Sequence, residues 1–241
     1  MPIEYNSQTS EPFIRLHPPH HNIILTLPRP GPADEDALVA ALNDPQVYVK
    51  FLSTPPLPFL REHATEYIAR SIEDCDRLLR EWDAGSGFVD GCPFRCIREE
   101  STEADDDDDD DVLIGDITFF RYEFPPGSEG EEQEKAQERN KNLAAGNTDL
   151  LWGVGFGLSP SHHRRGIMTA ALRTVIEEWA LPCMNARVIK ASALAENEGS
   201  LKVLMKNGFH LETTVDWQMP PASKGGGKKS VNVLRWVAPD A

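Results

Sequence analysis

The stretch that most constrains this chain runs from Leu150 to Ala180. Leu150-Leu151-Trp152-Gly153-Val154-Gly155-Phe156-Gly157-Leu158 reads as a strand heavy in glycine. A strand that gives up side chains in this way admits another backbone at close range. Ser159-Pro160-Ser161 predicts a turn, and Ile167 to Ala180 an amphipathic helix, because Met168, Ala171, Leu172, Val175, Ile176 and Trp179 recur at helical spacing. Pro182 is expected to end that helix. Between turn and helix lies His163-Arg164-Arg165-Gly166-Ile167-Met168-Thr169. The first turn of a helix leaves about four N–H groups without partners, and with the helix dipole they make an anion site. Gly166 lets a phosphate approach the backbone, and Arg164 and Arg165 add charge. The alternative is an ordinary turn carrying two surface arginines.

The remaining elements frame this one. Residues 1–20, polar and rich in Pro and His, read as a flexible arm. Ile23 to Leu27 reads as a first strand. A short helix with Leu38, Val39 and Leu42 follows, capped by Asp34 or Asp36. A second helix keeps apolar spacing from Ala64 through Tyr67, Ile68 and Ile72 to Leu79. Phe94–Arg98 and Val112–Tyr122 form a hairpin, with an acidic insertion of about 99–111 as its turn. A second insertion is expected over about 127–149. Ala186–Ala193 reads as a strand and Glu198–Lys206 as a helix closed by Asn207-Gly208; Leu211–Met219 and Val231–Val237 read as the last strands. The expectation is one α/β domain over residues 21–238, with a mixed central sheet flanked by helices.

Charge excludes some functions. Ten acidic and no basic residues lie between Glu99 and Asp111, and a net −3 between Glu129 and Asp149, together −13 of the formal −15. The acidity therefore belongs to two loops, since like-charge blocks are usually solvated. Nucleic-acid binding needs a basic face and is not expected. The apolar runs are far short of the ~20 residues that cross a bilayer, so no membrane association is expected either. Cys75, Cys92, Cys96 and Cys183 lack zinc-site spacing, which predicts reduced thiols, no metal and a cytoplasmic location.

The turn resembles the signature of the GNAT N-acetyltransferases, Gln/Arg-x-x-Gly-x-Gly/Ala. In His163-Arg164-Arg165-Gly166-Ile167-Met168 only Gly166 matches strictly; His163 stands for Gln/Arg and Met168 for Gly/Ala. The Gly-Ile-Met-Thr form looks like the branch of ribosomal-protein alanine and serine N-acetyltransferases. That branch also shows Asn-x-x-Ser ahead of Lys-x-Gly-Phe, and here stand Asn197-Glu198-Gly199-Ser200 and Lys206-Asn207-Gly208-Phe209. Leu42-Asn43-Asp44-Pro45-Gln46-Val47 and Leu113-Ile114-Gly115-Asp116-Ile117 fit the same branch, so the resemblance spans about residues 22–237.

The resemblance implies acetyl-CoA as co-substrate and an amine, small or a protein N-terminus, as acceptor. Its pyrophosphate would sit on the N–H groups from Arg164 to Thr169, with His163 in the same turn. Its pantetheine arm would run along Phe156, Gly157 and Leu158 like an added strand. Asn197 is open between a cofactor contact and a helix N-cap. Ser200 stands where the branch places a hydroxyl for the departing thiolate, or is a capping-turn serine. The family often puts a glutamate base on the glycine-rich strand, but residues 150–158 hold no carboxylate; Asp116, Glu123 and Asp149 are the candidates. His162 and His163 read as exposed loop residues, and Trp152, Trp179, Trp217 and Trp236 as core. Lys224-Gly225-Gly226-Gly227-Lys228-Lys229 lacks phosphate-loop spacing and reads as a hairpin tip. Two rivals to an enzyme remain: a CoA-binding protein without catalysis, and an interaction protein recruiting basic partners through its acidic loops.

Overall fold

Alternating apolar residues build the sheet from its middle outward. Ile23 and Leu25, Ile97, Ile114, Ile117 and Phe119, Trp152 and Val154, and Ile189 and Ala191 all enter one core cluster. In the computed structural model, which describes residues 3–52, 55–85, 87–100, 111–123, 130–218 and 227–239, these residues belong to a nine-stranded mixed sheet. Its strands are β1 (Ile3–Tyr5), β2 (Pro12–Arg15), β3 (Ile23–Thr26), β4 (Cys96–Glu100), β5 (Asp111–Arg121), β6 (Leu151–Leu158), β7 (Val188–Leu194), β8 (His210–Gln218) and β9 (Lys228–Val237). The order is β1-β2-β3-β4-β5-β6-β7-β9-β8, and every pair is antiparallel except β6–β7.

The helices are α1 (Pro32–Asn43), α2 (Pro45–Tyr48), α3 (Arg61–Asp83), α4 (Glu131–Asn142), α5 (Ile167–Val175), α6 (Leu181–Met184) and α7 (Glu198–Lys206). α1 packs on α3 and β5, and α7 on α5 and β7. α5 buries Ile167, Met168, Ala171, Leu172 and Val175, the stripe that the periodicity predicts. Trp152, Trp179 and Trp236 lie in the main core, and Trp217 packs in a satellite cluster with Leu194 and Val231.

Three local expectations need correction. Residues 1–20 are no loose arm: from Ile3 on they supply β1 and β2, with Ile14 and Leu16 in the core. α1 is preceded by Gly31 and starts with Pro32; neither Asp34 nor Asp36 caps it. Pro182 does not end the helix after α5. The chain widens into a π-helical turn over Ile176–Ala180, where the N–H of Leu181 bonds the carbonyl of Ile176. Pro182 then sits in the first turn of α6, where its missing N–H is tolerated, and Asn185 in left-handed conformation makes the stop.

The segment expected as a second insertion, about 127–149, has structure of its own. It carries α4, held by the buried Asn140, whose Nδ2 donates to the carbonyls of Tyr122 (3.3 Å) and Leu151 (2.9 Å) and whose Oδ1 accepts from Leu151 N (2.8 Å). Of the acidic insertion, 101–110 lie outside the described residues; of the lysine-glycine tip, 224–226 lie outside them, while Lys228 and Lys229 open β9. Among the described residues no helix is long and apolar enough to cross a membrane.

Candidate active site

One topological fact organises the site. β6 bonds β5 along Trp152–Leu158 on one edge, but pairs with β7 only from Leu151 to Gly153. Beyond Gly153 and Lys190 the two parallel strands part, leaving Val154–Leu158 without a sheet partner on that edge among the described residues. α5 follows the far end of β6, and α7 the far end of β7. Both helix N-termini therefore stand at the open end of the gap, the carboxyl end of parallel strands, where α/β sheets take their ligands.

The turn between β6 and α5 is fixed by local bonds. Pro160–His162 makes a single 3-10 turn, and Arg164 (φ 63°) and Gly166 (φ 83°) are both left-handed, with Gly166 capping α5. A β-carbon on Gly166 would lie 3.3 Å from Nε2 of His20, so the β2–β3 loop covers this glycine. His163 Nε2 bonds the carbonyl of Leu158 at 2.8 Å. Glu99, at the end of β4, takes Arg165 Nη2 at 2.6 Å and His162 Nε2 at 2.9 Å. Burial raises the Glu99 pKa, but these two donors outweigh it and hold the carboxyl below its ordinary value. Neither His162 nor His163 is thus a free loop residue. Ile167 and Met168 are buried, so they offer a ligand their backbone and not their side chains. Arg164 is exposed and makes no ion pair among the described residues. Thr169 uses its carbonyl to accept from Asn207 Nδ2, tying α5 to α7.

At the second helix end, Asn197 is the N-cap of α7. Its Oδ1 accepts from Ser200 N at 3.3 Å, and its Nδ2 donates to Ser200 Oγ at 2.9 Å. With one lone pair of Oγ taken by Asn197, the hydroxyl proton of Ser200 is left to donate. Asn197 therefore acts through the cap and Ser200.

A shallow groove runs on the other side of β6, lined by Leu38, Val47, Phe51, Leu113, Asp116 and Gly157. A second small recess adjoins it, sharing Leu38, Leu113 and Asp116 and adding Asp34, Tyr67, Ser71, Arg95 and Cys96. Asp116 pairs with Gly157 across β5 and β6, and a β-carbon at 157 would meet its Oδ1 at 3.0 Å and Phe51 at 3.4 Å. Burial pushes the Asp116 carboxyl up to about 6, with Arg95 partly opposing. Glu123, exposed past the end of β5, and Asp149, paired with Arg139 at 2.7 Å, line neither space. Tyr67, a helix-core position by its spacing, instead reaches the recess; Arg95 carried no sequence signal, and neither did Glu99, whose partners are remote in the chain. Among the described residues no group of His, Cys, Asp or Glu can hold a metal ion.

A parallel strand pair that splays beside a helix start, with a carboxylate-bearing groove behind it, defines the candidate site of this α/β domain. Residues 24–210 match the family model of the acetyltransferase (GNAT) domain. The chain belongs to that family. A segment of 59 residues is 39% identical to the probable N-acetyltransferase YjcK of Bacillus subtilis (strain 168), covering 24% of this chain and 32% of that protein. The chain thus spans about a third of that relative. The microcin C7 self-immunity acetyltransferase MccE, solved with acetyl-CoA and AMP, superposes with a TM-score of 0.59 at 16% identity over 90% of this chain and 93% of its own. The ribosomal-protein-S5-alanine acetyltransferase of Vibrio fischeri gives 0.56 at 16%, over 95% and 97%. At these identities the likeness is one of fold.

Proposed function

We propose that this chain transfers the acetyl group of acetyl-CoA to a primary amine, a small amine or a protein N-terminus, at the junction between the β6–β7 gap and the Asp116 groove. The observation that carries the reading is the parting of β6 from β7 beyond Gly153, with the left-handed Gly166 turn at the gap's mouth. The backbone of Phe156, Gly157 and Leu158 would pair with the amides of the pantetheine arm as an added strand does. The N–H groups from Arg164 to Thr169 would take the pyrophosphate, with Arg164 adding charge.

The remaining chemistry falls to few groups. Asp116 takes one proton from the acceptor's ammonium, and above about pH 6 it is in the form to do so. The freed nitrogen forms the C–N bond at the thioester carbonyl, the C–S bond breaks, and its electron pair leaves on sulfur. Ser200 donates a hydrogen bond to that sulfur, which takes the second nitrogen proton. Holding amine and thioester together supplies much of the rate. The buried thiols Cys75, Cys92, Cys96 and Cys183, none of them in a disulfide, suit a cytoplasmic setting.

The test has two parts. Calorimetric titration with acetyl-CoA should give binding that Gly166→Trp abolishes, and thiol release should then appear with members of an amine panel. Absence of heat with the unaltered chain would sink the reading. Heat without thiol release on any amine would leave a CoA-binding protein.

A further inference from the structure

Resting on that reading, we propose that the acceptor carries a carboxylate beside its amine, as an α-amino acid does, and that Arg95 is the anchor for it. The side-chain Nε of Arg95 is buried with no hydrogen-bond partner. A buried guanidinium N–H left unmade is costly, on the order of 1–3 kcal/mol or more for a charged group, and such a group calls for an explanation by a ligand or water. Among the described residues Arg95 makes no ion pair, whereas its neighbours in the recess are spoken for. Asp34 is taken by Arg98 (Nη1 to Oδ1, 2.9 Å), and Asp116, though near enough for Arg95 to lower its pKa, lies beyond ion-pair distance.

The recess is placed for a two-headed acceptor. It shares Leu38, Leu113 and Asp116 with the groove, so one wall holds the proposed base for the amine and the other a cation that makes no ion pair among the described residues. A guanidinium offers a carboxylate two parallel N–H bonds, a match that an ammonium or a water does not give. Tyr67 lines the same recess, and its phenol O–H is a further donor for that carboxylate. Leu38, Ile68 and Leu113 give the rest of the recess an apolar lining. A peptide N-terminus has its α-carboxyl in an amide and cannot make this pair.

Thiol release should be measured on three matched sets: free α-amino acids, their methyl esters, and the corresponding amines without the carboxyl. In the unaltered chain the free acids are expected to lead the esters and amines by about ten-fold or more in kcat/KM, since a site built to bond a group rejects analogues lacking it. Arg95→Met should collapse that ratio by raising KM for the acids, and Arg95→Lys should recover part of it. Loss of Arg95 should also move the acid limb of the pH profile upward, because its charge no longer favours ionised Asp116. Equal rates on all three sets, or a ratio that survives Arg95→Met, would overturn the proposal while leaving acetyl transfer intact. If no set is turned over, calorimetry with the N-acetylated amino acids and the matching N-acetylated amines decides independently. Tighter binding of the acids that Arg95→Met removes supports the anchor, and its absence overturns it.

Discussion

Asp116 sits where function and stability pull apart. An ordinary aspartate loses its proton near pH 4, and burial moves this one to about 6. The folded form therefore binds the proton more tightly than the unfolded chain, so folding is favoured at low pH and loses that contribution as pH rises through about 6. Asp116→Asn is expected to raise the melting temperature at pH 7.5, by a stabilisation on the order of 1–3 kcal/mol, and the gain should shrink as pH is lowered from 6 toward 4. The same substitution should cut kcat by about 10²–10⁴-fold and abolish the acid limb near pH 6 in kcat/KM, with acetyl-CoA affinity little changed. A variant that is both more stable and fully active would remove Asp116 from the role of base. Glu99 is a second residue whose role comes from its partners. It engages Arg165 and His162 in the turn proposed to take the phosphates, and its negative charge opposes an anion there. Glu99→Gln should tighten acetyl-CoA binding by about three- to ten-fold and steepen its weakening with salt, read by titration at two ionic strengths.

At the scale of elements, the β6–turn–α5 unit was legible because its signals are local. The glycines of β6, the Gly166 stop and the stripe from Met168 to Trp179 all lie within thirty residues, and each follows from backbone geometry or helical period. What local pattern could not give was the π-helical turn that carries the chain through Pro182. A proline in a periodic stretch predicts a stop, and here tertiary packing of Trp179, Ala180 and Met184 into the core overrides it. Asn197 and Ser200 show the reverse: their spacing leaves cap and site roles open, and the structure adds the N-cap and the bond from Nδ2 to Oγ. The unit's weak point is its glycine. Gly166→Ala places a side chain in left-handed conformation, which costs about 1–2 kcal/mol, and drives its β-carbon within 3.3 Å of His20. The expected outcome is a KM for acetyl-CoA raised by about ten-fold with a smaller change in kcat. A change confined to kcat would place the phosphates elsewhere.

The whole molecule holds what no window of sequence contains. Residues 1–20 read as an arm because their polar and proline-rich composition hides two short strands, and only pairing with β3 reveals them. The sheet's first half is then fastened by charges far apart in the chain. Arg98 of β4, 2% exposed, bonds Thr26 of β3 (2.8 Å), Asp34 of α1 (2.9 Å) and Asp111 at the start of β5 (3.2 Å). Arg29 joins the same Asp111 at 2.8 Å and reaches Glu11 beside β2 at 2.7 Å. The last residue of the acidic run is thus part of the fold, while its neighbours 101–110 fall outside the described residues. A buried pair of this kind adds little over apolar residues of the same volume, but breaking one side leaves a charge uncompensated. Arg98→Met should therefore destabilise the chain by about 3–5 kcal/mol in denaturant unfolding, since Asp34 and Asp111 then face one another across an apolar gap. The double variant Arg98→Met with Asp34→Leu should recover most of that loss. Because Asp34 also walls the recess beside Arg95, recovered stability need not restore the acceptor preference. If the double variant is no more stable than the single one, the cost lies in Thr26 and Asp111 and not in the Asp34 charge.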